Sequence, residues 1–150
     1  MKNNYEDRFG YLIADVARLS GRVYDERVKS LGLTRAQSRV LTYLSWFGET
    51  NQARLAERLE VTPITLARLL DRMQEGGWIE RVPVDGDRRA YTLQLTRRAR
   101  EVFPKLLEVG DRLTDATLAG MSRPERDALI AVLQRIRSNL TGMLQGDKSS

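Results

Sequence analysis

The chain has 150 residues, 41% hydrophobic and 30% charged, a balance that supplies an ordinary core and argues against a membrane protein. It contains no cysteine and no histidine, which removes disulfides, thiol chemistry, the usual proton shuttle and the commonest zinc ligand together. A net charge of +5 permits a polyanionic partner without requiring one.

The N-terminus MKNNYEDRFG lacks a basic-then-apolar export signal, so a cytoplasmic location is expected. No stretch approaches the roughly 18 apolar residues that cross a bilayer, and no membrane role is expected. From Tyr5 to Lys29 the sequence predicts a long helix. Phe9, Leu12, Val16, Leu19 and Val23 recur at spacings of three and four and mark one buried stripe. Gly32 breaks it. Thr34 then caps a second helix, with Gln37 placed for a capping box and Val40, Leu41, Leu44 and Phe47 as its apolar face, up to Gly48.

Two shorter helices follow. The first covers Gln52 to Leu59 with Leu55 and Leu59 inward. The second is announced by Thr62-Pro63, a capping hydroxyl directly before proline at the first helical position. It runs to Glu75, where Gly76-Gly77 stops it, and buries Leu66, Leu69, Leu70 and Met73. Pro63, Ile64, Thr65, Arg68 and Arg72 are left on the other side.

The period then changes from helix to strand. Ile79–Val84 and Ala90–Leu95 are short, rich in β-branched and aromatic residues, and separated by the turn formers Asp85-Gly86. Thr96 caps a helix carrying Val102, Leu106, Val109 and Leu113. The last helix opens on Ser122-Arg123-Pro124-Glu125, a capping box containing proline, and continues through Leu129, Leu133, Ile136, Leu140 and Met143. The long terminal stripes exceed what so small a central core can cover. A two-fold dimer supplies the missing surface, and an intramolecular bundle of the three long helices is the alternative.

Helix, tight link, capped helix and hairpin, in that order, is the layout of a winged helix-turn-helix. A B-form major groove accepts one helix, which the first short helix braces. A hairpin alongside reaches the backbone or minor groove, where arginine meets dense negative potential. Residues 50–100 hold ten arginines against seven acids, whereas 101–150 balance at seven basic and seven acidic residues. Each part also has a plainer reading. Arg88-Arg89 can be a solvated turn, and Arg68 and Arg72 a solvated helix face paired with Asp71 and Glu75.

LAERLEVTPITLARLLDRMQEGGWIERVPVDGDRRAYTLQLT, Leu55 to Thr96, resembles the core of the MarR/SlyA family of bacterial winged-helix regulators. DGDRRA followed by an alternating strand and Leu95-Thr96 is its most recognisable motif. LTRAQSRVLTYL, Leu33 to Leu44, resembles the family's second helix. The resemblance implies a mainly α fold with a small β-hairpin, a winged helix-turn-helix plus a helical dimerisation domain. Residues 1–33 and 118–146 would form the dimerisation region, 34–100 the DNA-binding domain, 101–117 a linking helix and 147–150 a flexible tail. It implies Thr62, Pro63, Thr65, Arg68 and Arg72 on a major-groove helix, Arg89 in the minor groove with Asp87 as its structural partner, and Arg88 on the backbone. The implied partners are a second copy of the chain and double-stranded DNA carrying a palindromic operator.

Many relatives release DNA when small aromatic carboxylates or phenols bind. Tyr11, Arg18 and Arg22 on the first helix and Arg39, Tyr43 and Trp46 on the second are the corresponding candidates here, because arginine beside aromatics suits a ring carboxylate. Thiol-oxidation sensing has no cysteine to use. A repressor relieved by such a ligand is the leading expectation. A nucleoid-like binder, a silencer antagonist and a protein-interaction module are the alternatives. No cofactor is called for. The acidic residues show no ligand pattern, and no nucleophile–base pair or glycine-rich phosphate loop supports an enzyme.

Overall fold

The structure is a computed structural model that describes residues 8–146, apart from the side chain of Arg88. Six helices and one hairpin follow in order: α1 (Phe9–Val28), α2 (Arg35–Phe47), α3 (Gln52–Leu59), α4 (Pro63–Glu75), β1 (Ile79–Val84), β2 (Asp87–Leu95), α5 (Arg97–Thr117) and α6 (Arg123–Gly146). A single 3-10 turn, Lys29–Leu31, closes α1. The fold is mainly α with one small antiparallel hairpin, as expected. Positions 5–7 of the expected first helix and the expected tail 147–150 lie outside the described residues. The chain divides into two compact units between Leu113 and Thr114.

In the first unit, α2, α3, α4 and the hairpin enclose the core. Leu41, Leu55, Leu66, Leu70, Met73, Ile79 and Leu93 have lost nearly all contact with solvent. A fully buried side chain of this size contributes about 1.5–3 kcal/mol. The helix starts follow local chemistry. Thr34 and Gln37 form the reciprocal capping box, the Gln37 N–H donating to Thr34 Oγ1 and the Thr34 N–H to Gln37 Oε1. Asn51 caps α3 by accepting from the Arg54 N–H at 2.9 Å. The link to α4 is three residues long and turns at Glu60, whose φ of 54° is left-handed. Thr96 accepts from the Ala99 N–H at the head of α5 and donates to the Gly77 carbonyl at 2.7 Å, so one hydroxyl starts a helix and closes the base of the hairpin.

Two sequence expectations need correction. Phe47 is 68% exposed. It stands on the last residue of α2, beyond the end of the core, and packs against Tyr43 with ring centroids 4.9 Å apart. The α1 stripe of Phe9, Leu12, Val16, Leu19 and Val23 is also exposed, so the chain by itself does not bury it. Only Gly21 and Val28 of α1 are buried. Gly21 lets α2 approach, since a Cβ there would overlap the Arg35 guanidinium. That guanidinium is held by Asp25 in a two-point pair at 2.6 and 2.9 Å, which raises its pKa further.

The second unit holds the end of α5 and all of α6. Glu125 accepts from both the Ser122 N–H and the Ser122 hydroxyl at 2.7 Å, and these bonds pull its carboxyl below the ordinary value. Arg126 donates to Asp115 at 3.0 Å and to the Leu118 carbonyl at 3.1 Å, fixing the turn between the helices. Along α6, Ile130, Val132, Leu133, Leu140, Met143 and Leu144 are exposed. Among the described residues no helix is long and apolar enough to cross a membrane.

Candidate nucleic-acid interface

α4 begins on Thr62. Its hydroxyl accepts from the Thr65 N–H at 3.2 Å and donates to Thr65 Oγ1 at 2.9 Å, with Pro63 at the first helical position. Leu66, Leu69, Leu70 and Met73 are turned into the core. Pro63, Ile64, Thr65, Arg68 and Arg72 are therefore on the solvent side, all exposed. The pairing of Arg68 and Arg72 with Asp71 and Glu75, weighed from the sequence, does not form. Asp71 is taken by Arg81 from β1 at 2.7 Å. Among the described residues, the guanidiniums of Arg68 and Arg72 have no hydrogen-bond or ion-pair partner.

The hairpin starts earlier on its second strand than the sequence suggests. Pairing runs from Ile79 with Leu95 to Pro83 with Tyr91, and then Val84 meets Asp87. Arg88, Arg89 and Ala90 thus stand opposite a single step of β1. Pro83 has no N–H to continue a regular ladder, and the extra residues form an irregular tip. Gly86, at a φ of 85°, supplies the turn residue that a side chain would strain. Asp87 does hold Arg89, but through the backbone: its Oδ1 accepts from the Arg89 N–H at 2.9 Å. Among the described residues the Arg89 guanidinium has no partner, and it is exposed. The side chain of Arg88 lies outside what the structure describes.

The sequence reading missed what fixes the hairpin in place. Arg81 donates to Asp71 and, at 2.5 Å, to Gln74, both on α4, and lies 5.5 Å from the centre of the Tyr91 ring. The Tyr91 hydroxyl donates to Gln52 on α3 at 3.0 Å. From the loop before α3, Thr50 accepts from the Leu93 N–H at 2.8 Å, while Glu49 accepts from Thr92 and Gln94. Three separate ties therefore join the wing to the helix pair. At the base, Arg98 stacks 4.1 Å over the Trp78 ring and donates to the Gly76 carbonyl. Also missed were Arg54 and Arg58, one turn apart on α3 and beside the buried Leu55 and Leu59. Both are exposed and, among the described residues, unpaired. Their spacing of four was the available signal.

Arg81 can be tested separately from the exposed arginines. Its side chain is only 22% exposed, so it acts as a clasp. Arg81→Ala is expected to lower stability by about 1 kcal/mol, the size of a partly exposed hydrogen-bonded ion pair. DNA affinity should fall while its salt dependence stays the same. A reduced salt slope would instead mean that Arg81 touches phosphate itself.

A cleft of about 510 Å³ opens between α1 and α2, with Leu113 of α5 at its edge. Of the candidates named for a ligand, Arg39, Tyr43 and Trp46 line it. Tyr11, Arg18 and Arg22 do not; α1 presents Ala17, Ser20, Gly21 and Tyr24 instead. Those four form one stripe at spacings of three, one and three. Arg18 and Arg22 lie off that stripe, with Arg18 paired to Asp15. Most of the wall is apolar, and Arg39 already donates to the Leu59 carbonyl at 3.0 Å.

A capped and braced helix with unpaired arginines on its outer face, clasped to an arginine-tipped hairpin, defines a winged helix-turn-helix DNA-binding protein. A model of the MarR family matches residues 31–90. The chain is 28% identical over 128 residues to an uncharacterized HTH-type transcriptional regulator, YybA of Bacillus subtilis, covering 85% of each protein. Among solved structures it is 31% identical to the transcriptional regulator PA3341, with a TM-score of 0.76 over 90% of this chain and 99% of that one. A mutant MarR from E. coli, complexed with operator DNA, is 26% identical with a TM-score of 0.77, covering 91% of this chain and 98% of that one. This chain belongs to the MarR family of winged helix-turn-helix transcriptional regulators. Members of this family are DNA-binding regulators and not enzymes.

Proposed function

We propose that the protein is a homodimeric, sequence-specific repressor that binds a palindromic operator and is released by a small aromatic carboxylate or phenol. The observation that carries the DNA reading is the set of five exposed guanidiniums, Arg54, Arg58, Arg68, Arg72 and Arg89, that find no acidic partner among the described residues. Arginine left unpaired beside a helix N-terminus suits phosphate and base edges, which its planar fork meets in pairs. In this reading α4 enters the major groove, with Thr62, Pro63, Thr65, Arg68 and Arg72 facing bases or phosphates. Arg89 reaches the minor groove, Asp87 fixes the backbone that carries it, and Arg88 meets the duplex backbone.

The exposed apolar stripes of α1 and α6 support the dimer, because exposed stripes of this length ordinarily mark a protein interface. Arg39 beside Tyr43 and Trp46 in the α1–α2 cleft supports an aromatic acid as effector. Selection of bound duplexes from a random pool by the purified protein tests the reading. A two-fold-symmetric motif with half-sites about one helical turn apart is expected. Equal affinity for every duplex would replace it with a nucleoid-like role, and no salt-dependent binding to any duplex would end it. Repeating the selected complex with benzoic and phenolic acids tests release.

A further inference from the structure

Between Gln52 and Glu75 every large apolar side chain is buried or half-buried except one. Leu55, Leu59, Leu66, Leu69, Leu70 and Met73 are all in the core, whereas Ile64 is 68% exposed. It occupies the second position of α4, in the turn that leads the helix into a groove. That turn is poor in side-chain donors. Pro63 has no N–H, the Thr62 proton is committed to Thr65 Oγ1, and Ile64 itself carries only carbon. Being β-branched, Ile64 holds a narrow range of χ1, so its methyl groups form a stiff patch rather than a mobile one. Thr65 beside it offers one short hydroxyl, and the long polar reach begins one turn later, at Arg68 on the same helix face.

An apolar patch entering a major groove has one complementary group among the base edges: the 5-methyl of thymine. We propose that Ile64 is a specificity-determining residue that reads a thymine through that methyl, ahead of the polar contact made by Arg68. The proposal rests on the DNA-binding reading above and adds to it the identity of one base. Four residues of helix span about 6 Å, close to two base-pair steps of about 3.4 Å each. The thymine therefore lies on the order of two base pairs from the position that Arg68 reads.

The test uses the duplex selected from a pool of synthetic unmethylated DNA, where thymine is the only source of a 5-methyl group. Each thymine of a half-site is replaced in turn by deoxyuridine, which deletes the methyl and keeps the base pair. At one position the wild-type protein should lose roughly fourfold in affinity, the worth of one buried methyl group. Ile64→Ala should bind the thymine and deoxyuridine duplexes equally, and Arg68→Ala should keep the wild-type discrimination. The exposed position of Ile64 leaves the fold of the variant intact, which a thermal melt verifies. If the wild-type protein binds the selected duplex but no deoxyuridine weakens it, the thymine assignment is overturned and the regulator reading stands. The same holds if Ile64→Ala retains the discrimination. Failure to bind any duplex overturns both.

Discussion

An Arg89→Ala variant is expected to bind every duplex more weakly, by about 1.5–3 kcal/mol if one charged hydrogen bond is lost. The slope of log affinity against log salt should shrink by about 0.9, the share of one neutralised phosphate. Arg68→Ala should behave differently. A bidentate base contact is worth roughly 1–3 kcal/mol of discrimination, so its loss should fall on the matched sequence and relax preference at one base pair. The two arginines have the same chemistry, and both are exposed and unpaired among the described residues. What separates them is the element that carries each: a helix that can enter the wide groove, and a hairpin tip that stays beside it. Titrating both variants against matched and random duplexes at several salt concentrations checks the distinction. Equal, salt-independent losses on both duplexes for Arg68→Ala would count against a base contact.

Leu70→Ala should have the largest effect on stability. Leu70 is fully buried on the inner face of α4, and large-to-small changes at such sites cost about 2–5 kcal/mol through lost transfer energy and the cavity left behind. Domains of this kind are stable by only about 5–15 kcal/mol, so the variant should unfold at clearly lower urea concentration. Its midpoint temperature should fall by about 2–4 °C for each kcal/mol. Arg72→Ala on the opposite face should stay within about 0.5 kcal/mol of the parent. If the two variants melted together, the assignment of inner and outer faces on α4 would be wrong.

The face of α4 was legible because its signals are local. Thr62-Pro63 fixes the start, Gly76-Gly77 the end, and four apolar residues at helical spacing the inward side, all within sixteen positions. The wing was legible as two strands around Asp85-Gly86. The start of its second strand was not, because the irregular pairing at Pro83 depends on the partner strand. Arg81 shows the same limit. Its acidic partner lies ten positions away on another element, whereas reasoning by helical neighbours assigned Asp71 to the arginines of α4. Asp87 was legible as the structural partner of Arg89, but that its carboxylate takes the backbone N–H was not, since side-chain and backbone capture look alike in sequence. Along the cleft, the α2 candidates line the wall, whereas on α1 Arg18 and Arg22 sit one position off the lining stripe and Tyr11 lies well before it. On a helix exposed on most sides, periodicity does not say which stripe a neighbour will cover.

The unpaired cations of α3, α4 and the wing are all guanidinium groups, and the chain has no histidine. A guanidinium keeps its proton at any pH a cell experiences. The charge this surface offers a duplex thus includes no imidazole, the side chain through which proteins ordinarily couple a grip to acidity near neutral pH.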